Sequence, residues 1–421
     1  MKIVHISTFK NGGAGTAALR LHFQLLQKGH ESTFLFLHKG KETETIFKYS
    51  KKINLIELLY RVLKKLGLPP NLEQSNDYKI RRYKRKFELF SFAHTPYTKL
   101  KKHRLLQECD IIHLHFVANF IDYVSFFNVV KKPIVWTLHD MNPFQGGFHY
   151  KNDENLFSDK LDGLDEEQFA IKKKALEQLS NKTIEVVSPS KWLMGQSLHS
   201  ELLGRFPHYH VPNGVDTGIF KPRNQAYCRK NLGLSQDKPI VLFVAESVSS
   251  YRKGFDRVLK LIGDKEFCGA YNFVALGSIK KREQVKGITY MGSIHDEKEM
   301  SFAYNAASVF ILPSREDNLP NTMIESLCCG TPVVAFPTGG ITETITNGEN
   351  GFLSADHTVA GLKDALNRYM QHREAIDREA VAAMARTVFD VVVQAENYLK
   401  LYQRKLTPKN KTNLQLNSEN T

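Results

Sequence analysis

The chain has 421 residues, long enough for two or three domains. Its 42% hydrophobic and 24% charged residues exclude a disordered, collagenous or low-complexity chain. The net charge of +14 is unevenly placed: residues 48–105 hold 16 Lys and Arg against 4 Asp and Glu, a net of +12, so the other 363 residues carry +2. A basic segment of that kind suits nucleic acid, an anionic membrane surface, an anionic substrate, or simply a solvated helical face. The five cysteines form no CxxC, which points to reduced thiols and a cytoplasmic setting, and against a cysteine-built metal site. The N-terminal residues lack an apolar leader and no stretch is apolar enough to span a bilayer, so neither a signal peptide nor a transmembrane helix is expected.

Residues 2–8 read as a short buried strand. The glycine-rich turn Asn11-Gly-Gly-Ala-Gly15 follows, then an amphipathic helix from Thr16 to Lys28 closed by Gly29, and a strand from Thr33 to His38. That order opens a doubly wound α/β domain. A second helical pattern covers 53–66, stopped by Pro69-Pro70, and is followed by the basic run Lys79 to Lys86. Strands are expected at 110–115, 133–139 and 183–188, with residues 211–216 as a strand end turning into a linker. The acidic stretch Asp162 to Glu167 reads as a solvent-facing part of a helix.

A second α/β series has strands at 240–245, 272–276, 289–291, 309–312 and 332–336. Helical patterns lie between them near 255–262, 297–306, 321–329 and 341–346. The expected fold is therefore two Rossmann-like doubly wound domains, residues 1–216 and 217–388. A terminal helix ends at 406, and a polar, disordered tail runs to 421.

The string Pro313 to Val334 carries most chemistry. A strand ends at Leu312, a loop holds Glu316 and Asp317, and a helix starts near Asn321. The free N–H groups of that helix start would face the carboxyl edge of the sheet, where anions bind. Asp317 just before the helix and Glu325 one turn into it can face one ligand. This string resembles the hallmark of the family 4 (group 1) retaining glycosyltransferases of GT-B fold. In that pattern an acid stands eight residues before a Glu, and Gly-Thr-Pro-Val-Val follows. The usual first acid is Glu; here Asp317 takes its position, with Glu316 beside it. Gly12-Gly13-Ala14 before a helix ending Gly29-His30 matches the family's N-terminal loop. Trp136 to Tyr150 resembles the Thr-Leu-His-Asp-Met segment of bacterial exopolysaccharide and capsule transferases. Val211 to Asp216 matches the family's linker, and Arg252-Lys253-Gly254 its Lys-Gly motif. The arginine usual five residues before that lysine is absent, and Val248 stands there.

The resemblance implies transfer of a sugar from a UDP- or GDP-sugar to a hydroxyl of a glycan or lipid-linked glycan, with retention. It implies Lys253 and Arg252 on the diphosphate, Glu325 on the ribose, and His139 with Asp317 or Glu316 at the sugar. The donor-binding stretch Asn318 to Thr322, with Leu319, Pro320 and Asn321 within it, would offer backbone and side-chain donors to the phosphates, and Gly12 and Gly13 would allow close backbone approach. Fixed cations and a helix end can stabilise the leaving diphosphate without a metal, so no metal or other cofactor is expected. His113 and His115 alternate on one strand and, lacking a third ligand in the sequence, read as structural. An anionic membrane surface is an expected partner of residues 48–105; nucleic acid is not, since only Tyr78 and Tyr83 offer interleaved aromatics. The alternatives are a GT-B nucleotide-sugar epimerase and a non-catalytic basic membrane- or nucleic-acid-binding protein.

Overall fold

A computed structural model describes residues 1–38, 40–50, 72–81, 83 and 87–407. The helix expected at 53–66, the basic positions 82 and 84–86, and the tail from 408 onward lie outside these residues. Thirteen strands are described: β1 (Lys2–Ser7), β2 (Glu31–Phe36), β3 (Ile46–Lys48), β4 (Ile111–Leu114), β5 (Ile134–Thr137), β6 (Ile184–Ser188), β7 (His208–His210), β8 (Ile240–Ser247), β9 (Asn272–Ser278), β10 (Ile288–Gly292), β11 (Val309–Leu312), β12 (Val333–Ala335) and β13 (Gly351–Leu353). They form two sheets, ordered β3-β2-β1-β4-β5-β6-β7 and β10-β9-β8-β11-β12-β13. Every pairing within them is parallel. The protein is thus the GT-B-type α/β architecture expected.

In each sheet the strand order reverses once, between β1 and β4 and between β8 and β11. Ligands in doubly wound sheets gather beyond the strand carboxyl ends at these reversals. Here the two reversals face one another across a cleft. The second sheet has its own core, from Val215 to Phe389. The first is filled on one face by Val4, Ile6, Phe120, Trp136 and their neighbours.

The chain crosses between the sheets twice, side by side. Val215 N donates to Phe389 O at 2.9 Å, and Val391 N donates to Val215 O at 2.9 Å. The terminal helix Val391–Leu406 then lies on the first sheet, burying Ala395, Tyr398, Leu401 and Tyr402 against Ile3, Leu21, Leu25 and Val135. Each such large side chain contributes about 1.5–3 kcal/mol of burial. Two hydroxyls fix its register: Tyr398 meets Thr137 Oγ1 at 2.6 Å, and Tyr402 meets His113 Nδ1 at 2.6 Å.

Several elements depart from the expectation. The first helix starts at Gly12, so the glycine run belongs to it (Gly12–Gln27). Gly12 has φ +72°, and a Cβ at Gly15 would lie 2.6 Å from Lys10 C and 2.8 Å from Phe9 O. Close packing of the β1 loop, not helix propensity, sets those residues. Strands β3, β7 and β13 have three residues each, too few to show a period. The helix expected at 341–346 is only a 3-10 turn at Gly339–Ile341 with a following turn. Gly340 N there donates to Asn318 O at 2.8 Å, so this segment is shaped by the loop it supports. Helices Val359–His372 and Arg378–Phe389 complete the second half.

Candidate active site

The second sheet's contribution comes from two loops. The loop after β8 carries Arg252 and Lys253, and the loop after β11 carries Glu316 to Pro320. Gly254 lets them meet. It has φ +75°, and any Cβ there would lie 1.9 Å from Pro313 O. The result is a compact charge cluster. Lys253 Nζ lies 2.5 Å from Asp317 Oδ2, and Arg252 Nη1 lies 3.5 Å from Asp317 Oδ1. Arg252 Nη1 also donates to Glu316 O at 3.0 Å. Burial alone would raise the Asp317 carboxyl, but Lys253 and Arg252 outweigh it and hold it below the usual carboxylate range. Burial pulls the Lys253 ammonium down, against the pull of Asp317. Lys253 and Arg252 share Asp317, and Glu88 also lies 3.6 Å from Arg252, so two cations here meet two carboxylates.

The two neighbouring acids are used differently. Asp317 is buried at the cations, whereas Glu316 Oε2 accepts Asn152 N of the first half at 3.1 Å. Burial raises the Glu316 carboxyl. Arg252 is pinned from the first half as well: its guanidinium stacks on the Tyr150 ring at 4.5 Å, and its Nε lies 3.6 Å from Glu88.

Asn318 is engaged across the cleft. Its Oδ1 accepts Ser190 Oγ at 2.6 Å, and its Nδ2 lies 3.4 Å from His139 O. Leu319 and Pro320 lead into the helix Asn321–Cys328, whose first turn has no side-chain cap. Asn321 Nδ2 donates to Gly13 O at 2.9 Å, which brings the first-half glycine turn beside this helix start. Thr322 lies in its first turn. Gly13 has open space where a Cβ would stand, and Gly12 lies beside Glu246. Glu325 is buried on the helix, its Oε2 accepting the Tyr304 hydroxyl at 2.9 Å and its Oε1 accepting Arg20 Nη2 at 2.7 Å. Sequence reasoning missed Arg20 and Tyr304, because each stands on a helix outside the motif, 305 and 21 residues from Glu325, and carries no motif of its own.

His139 lies at the carboxyl end of β5, half-buried. Burial pushes its imidazole down to about 4, against the pull of Asp140. Its Nε2 is 3.3 Å from His115 Nδ1, and His115 Nε2 is 2.9 Å from His5 Nδ1. The third histidine beside His113 and His115 is thus His5, on the neighbouring strand. Among the described residues these three form the one group of at least three His, Cys, Asp or Glu ligand atoms within 4.8 Å of one another. Their rings lie within 41° of parallel, with centroids 4.0–5.2 Å apart, so they stack rather than converge. Both nitrogens of His113 are already bonded, to Thr137 and Tyr402. His5 and His115 are a hydrogen-bonded pair leading to His139, and His113 packs beside them with both nitrogens bonded elsewhere.

The segment after His139 is built as a rigid loop. Asp140 takes His149 Nδ1 at 2.7 Å and Asn142 N at 3.0 Å. Lys172, fully buried, donates to the carbonyls of Asn142 at 2.5 Å, Gln145 at 3.1 Å and Gly146 at 2.5 Å. Gly147 N donates to Asp165 Oδ1 at 2.6 Å. The reading of Asp162 to Glu167 as solvent-facing holds for Asp162, Glu166 and Glu167, which are exposed, and is corrected for Asp165, which is buried because it caps this loop; Asp162 accepts the Tyr83 hydroxyl at 2.6 Å. Asp165 and Lys172 lie seven apart on the helix Leu164–Glu177, hence on one face.

Two family models match this chain: Glycosyltransferase Family 4 over residues 11–218, and Glycosyl transferases group 1 over residues 238–372. The chain belongs to the family 4, group 1 glycosyltransferases. It is similar to the D-inositol 3-phosphate glycosyltransferase of Acidothermus cellulolyticus, 30% identical over 206 residues, which is 44% of this chain and 45% of that one. It is also similar to the enzyme of that name from Frankia alni, 26% identical over 216 residues, 47% and 53% of the two chains. The chain spans about half the length of the curated relatives it matches. In fold it matches sucrose-phosphate synthase from Thermosynechococcus elongatus, with a TM-score of 0.66 at 17% identity over 96% of this chain and 98% of that one. Anabaena Alr3699/HepE in complex with UDP and glucose matches with a TM-score of 0.64 at 16% identity, over 96% and 99%. Among the described residues no helix is long and apolar enough to cross a membrane.

Proposed function

We propose that this glycosyltransferase-family protein moves a sugar from a nucleoside diphosphate sugar to an acceptor hydroxyl, with retention of anomeric configuration. The observation that carries this reading is the Lys253–Arg252–Asp317 cluster, next to Asn318, whose Nδ2 lies 3.4 Å from His139 O across the cleft. As the glycosidic bond breaks, negative charge grows on the β-phosphate, and Lys253 and Arg252 stand ready to stabilise it. Glu325 would take the ribose hydroxyls, and Asp317 or Glu316 and His139 would line the sugar. Leu319, Asn321 and Thr322, at the helix start, would donate to phosphate oxygens. Retention would follow from same-face displacement, in which the departing phosphate oxygen takes the acceptor proton.

Two acceptor classes compete. The Trp136–Tyr150 segment favours a glycan or lipid-linked glycan, as in polysaccharide synthesis. The names of the relatives favour a phosphorylated cyclitol. An anionic membrane surface remains a proposed partner on the charge of residues 48–105 alone. The cations proposed for the diphosphate are side chains, so the reaction is proposed to be metal-independent. The test is release of nucleoside diphosphate from a panel of UDP- and GDP-sugars, with each acceptor class and with EDTA. At least one donor is expected to be consumed, undiminished by EDTA. Abolition by EDTA with rescue by Mn²⁺ or Mg²⁺ would overturn metal independence, and no consumption of any donor would overturn the transferase reading.

A further inference from the structure

Glu325 is held from both sides of the cleft. From the second half, the Tyr304 hydroxyl donates to its Oε2 at 2.9 Å. From the first half, Arg20 on the first helix brings Nη2 to 2.7 Å from its Oε1. The same guanidinium pairs with Glu297 at 2.7 Å through Nη2 and at 2.9 Å through Nε, and lies over the Phe220 ring at 5.3 Å. The side chains of Arg20 and Glu325 are only 9% and 10% exposed.

As a device for stability this arrangement is poor. Burying an ion pair recovers its desolvation cost only when every remaining proton and lone pair is satisfied. Arg20 Nη1 is buried and has no hydrogen-bond partner. Apolar side chains would join the two halves at lower cost. What the arrangement does achieve is orientation. One N–H on Oε1 and one O–H on Oε2 fix the plane of the Glu325 carboxylate and leave one lone pair on each oxygen.

We propose that Arg20 is a positioning residue for nucleotide binding. It sets the Glu325 carboxylate so that its remaining lone pairs meet the ribose hydroxyls, and it ties that carboxylate to the first sheet. Affinity for the nucleotide then depends on a residue of the first half, across the cleft from the loops of Lys253 and Asp317. The inference rests on the reading of Glu325 as the ribose-holding residue of the donor site.

Calorimetric titration of the full chain with UDP and GDP, and with their 2′,3′-dideoxy analogues, tests it. Arg20→Met is expected to weaken binding of the ribonucleotide by about tenfold, the loss of one charge-assisted hydrogen bond. Glu325→Gln should weaken it similarly, and the double variant should be no weaker than the worse single one. Arg20→Lys, which keeps the charge without the fork, should fall between wild type and Arg20→Met. For the dideoxy analogue the Arg20 effect should vanish, which a merely structural role would not produce. Folded Arg20 variants that bind the ribonucleotide as wild type does, or that lose the dideoxy analogue equally, would overturn the inference. If Arg20→Met does not fold, Arg20→Lys carries the same test. A wild-type chain that binds no nucleoside diphosphate would instead overturn the donor-site reading itself.

Discussion

Lys253→Met is expected to lower kcat by about 10²–10³-fold while changing the KM for donor little, the scale seen when one fixed charge-stabilising donor is removed. Three observations set this expectation. Lys253 Nζ is held at 2.5 Å from Asp317, so its position is fixed before substrate arrives. Only 20% of its side chain is exposed, so little water competes for its charge. Its value is greatest once the β-phosphate gains charge, which happens in the transition state and not in the bound donor. The variant also leaves Asp317 with Arg252 alone at 3.5 Å, so the carboxyl should titrate higher than in the wild type. Steady-state kinetics on the donor found by the panel decide the matter. A rise in KM with kcat unchanged would remove Lys253 from the leaving group.

The second large effect is expected far from the cations. Lys172→Met should destabilise the first half by about 3 kcal/mol, read as a fall in the urea midpoint, because buried polar groups left without partners cost about 1–3 kcal/mol each. The carbonyls of Gln145 and Gly146 lose their donor in this variant, and that of Asn142 keeps only the Gln145 N–H at 3.3 Å. Methionine fills most of the same volume, so the loss reports the hydrogen bonds and not a cavity. That loop follows directly on His139 and Asp140, so turnover should fall as well. An unfolding free energy within about 0.5 kcal/mol of wild type would show that the loop holds its shape without Lys172.

How far the site could be read from the chain depended on how local each part is. The doubly wound halves were legible because strand, turn and helix alternate over short stretches. Lys253 and Asp317 were assigned to one donor only through the family resemblance, and their 2.5 Å contact is visible only once the loops after β8 and β11 meet. The edge strands β3 and β7 were not legible, because three residues show no period. The glycine run was misread as a loop, since Gly15 is dictated by contact with Phe9 and Lys10 and not by its own preference. Residues that act across the cleft were the hardest. Arg20, Tyr150 and Ser190 carry no local motif for the partners they reach, Glu325, Arg252 and Asn318. Likewise Lys172 looks like one more lysine of a charged helix until the loop folds onto it. His5 gained its meaning only from the parallel pairing of β1 with β4, which sets it opposite His113.

The central claim is transfer from a nucleotide-sugar with retention at the Lys253–Asp317–His139 cleft. Its most direct test is proton NMR of the reaction as it proceeds, with an α-linked nucleotide-sugar that the panel shows to be consumed. The anomeric proton of the first-formed product should show the small H1–H2 coupling of an α-gluco- or α-galacto-type linkage. Early appearance of the β product would contradict the account.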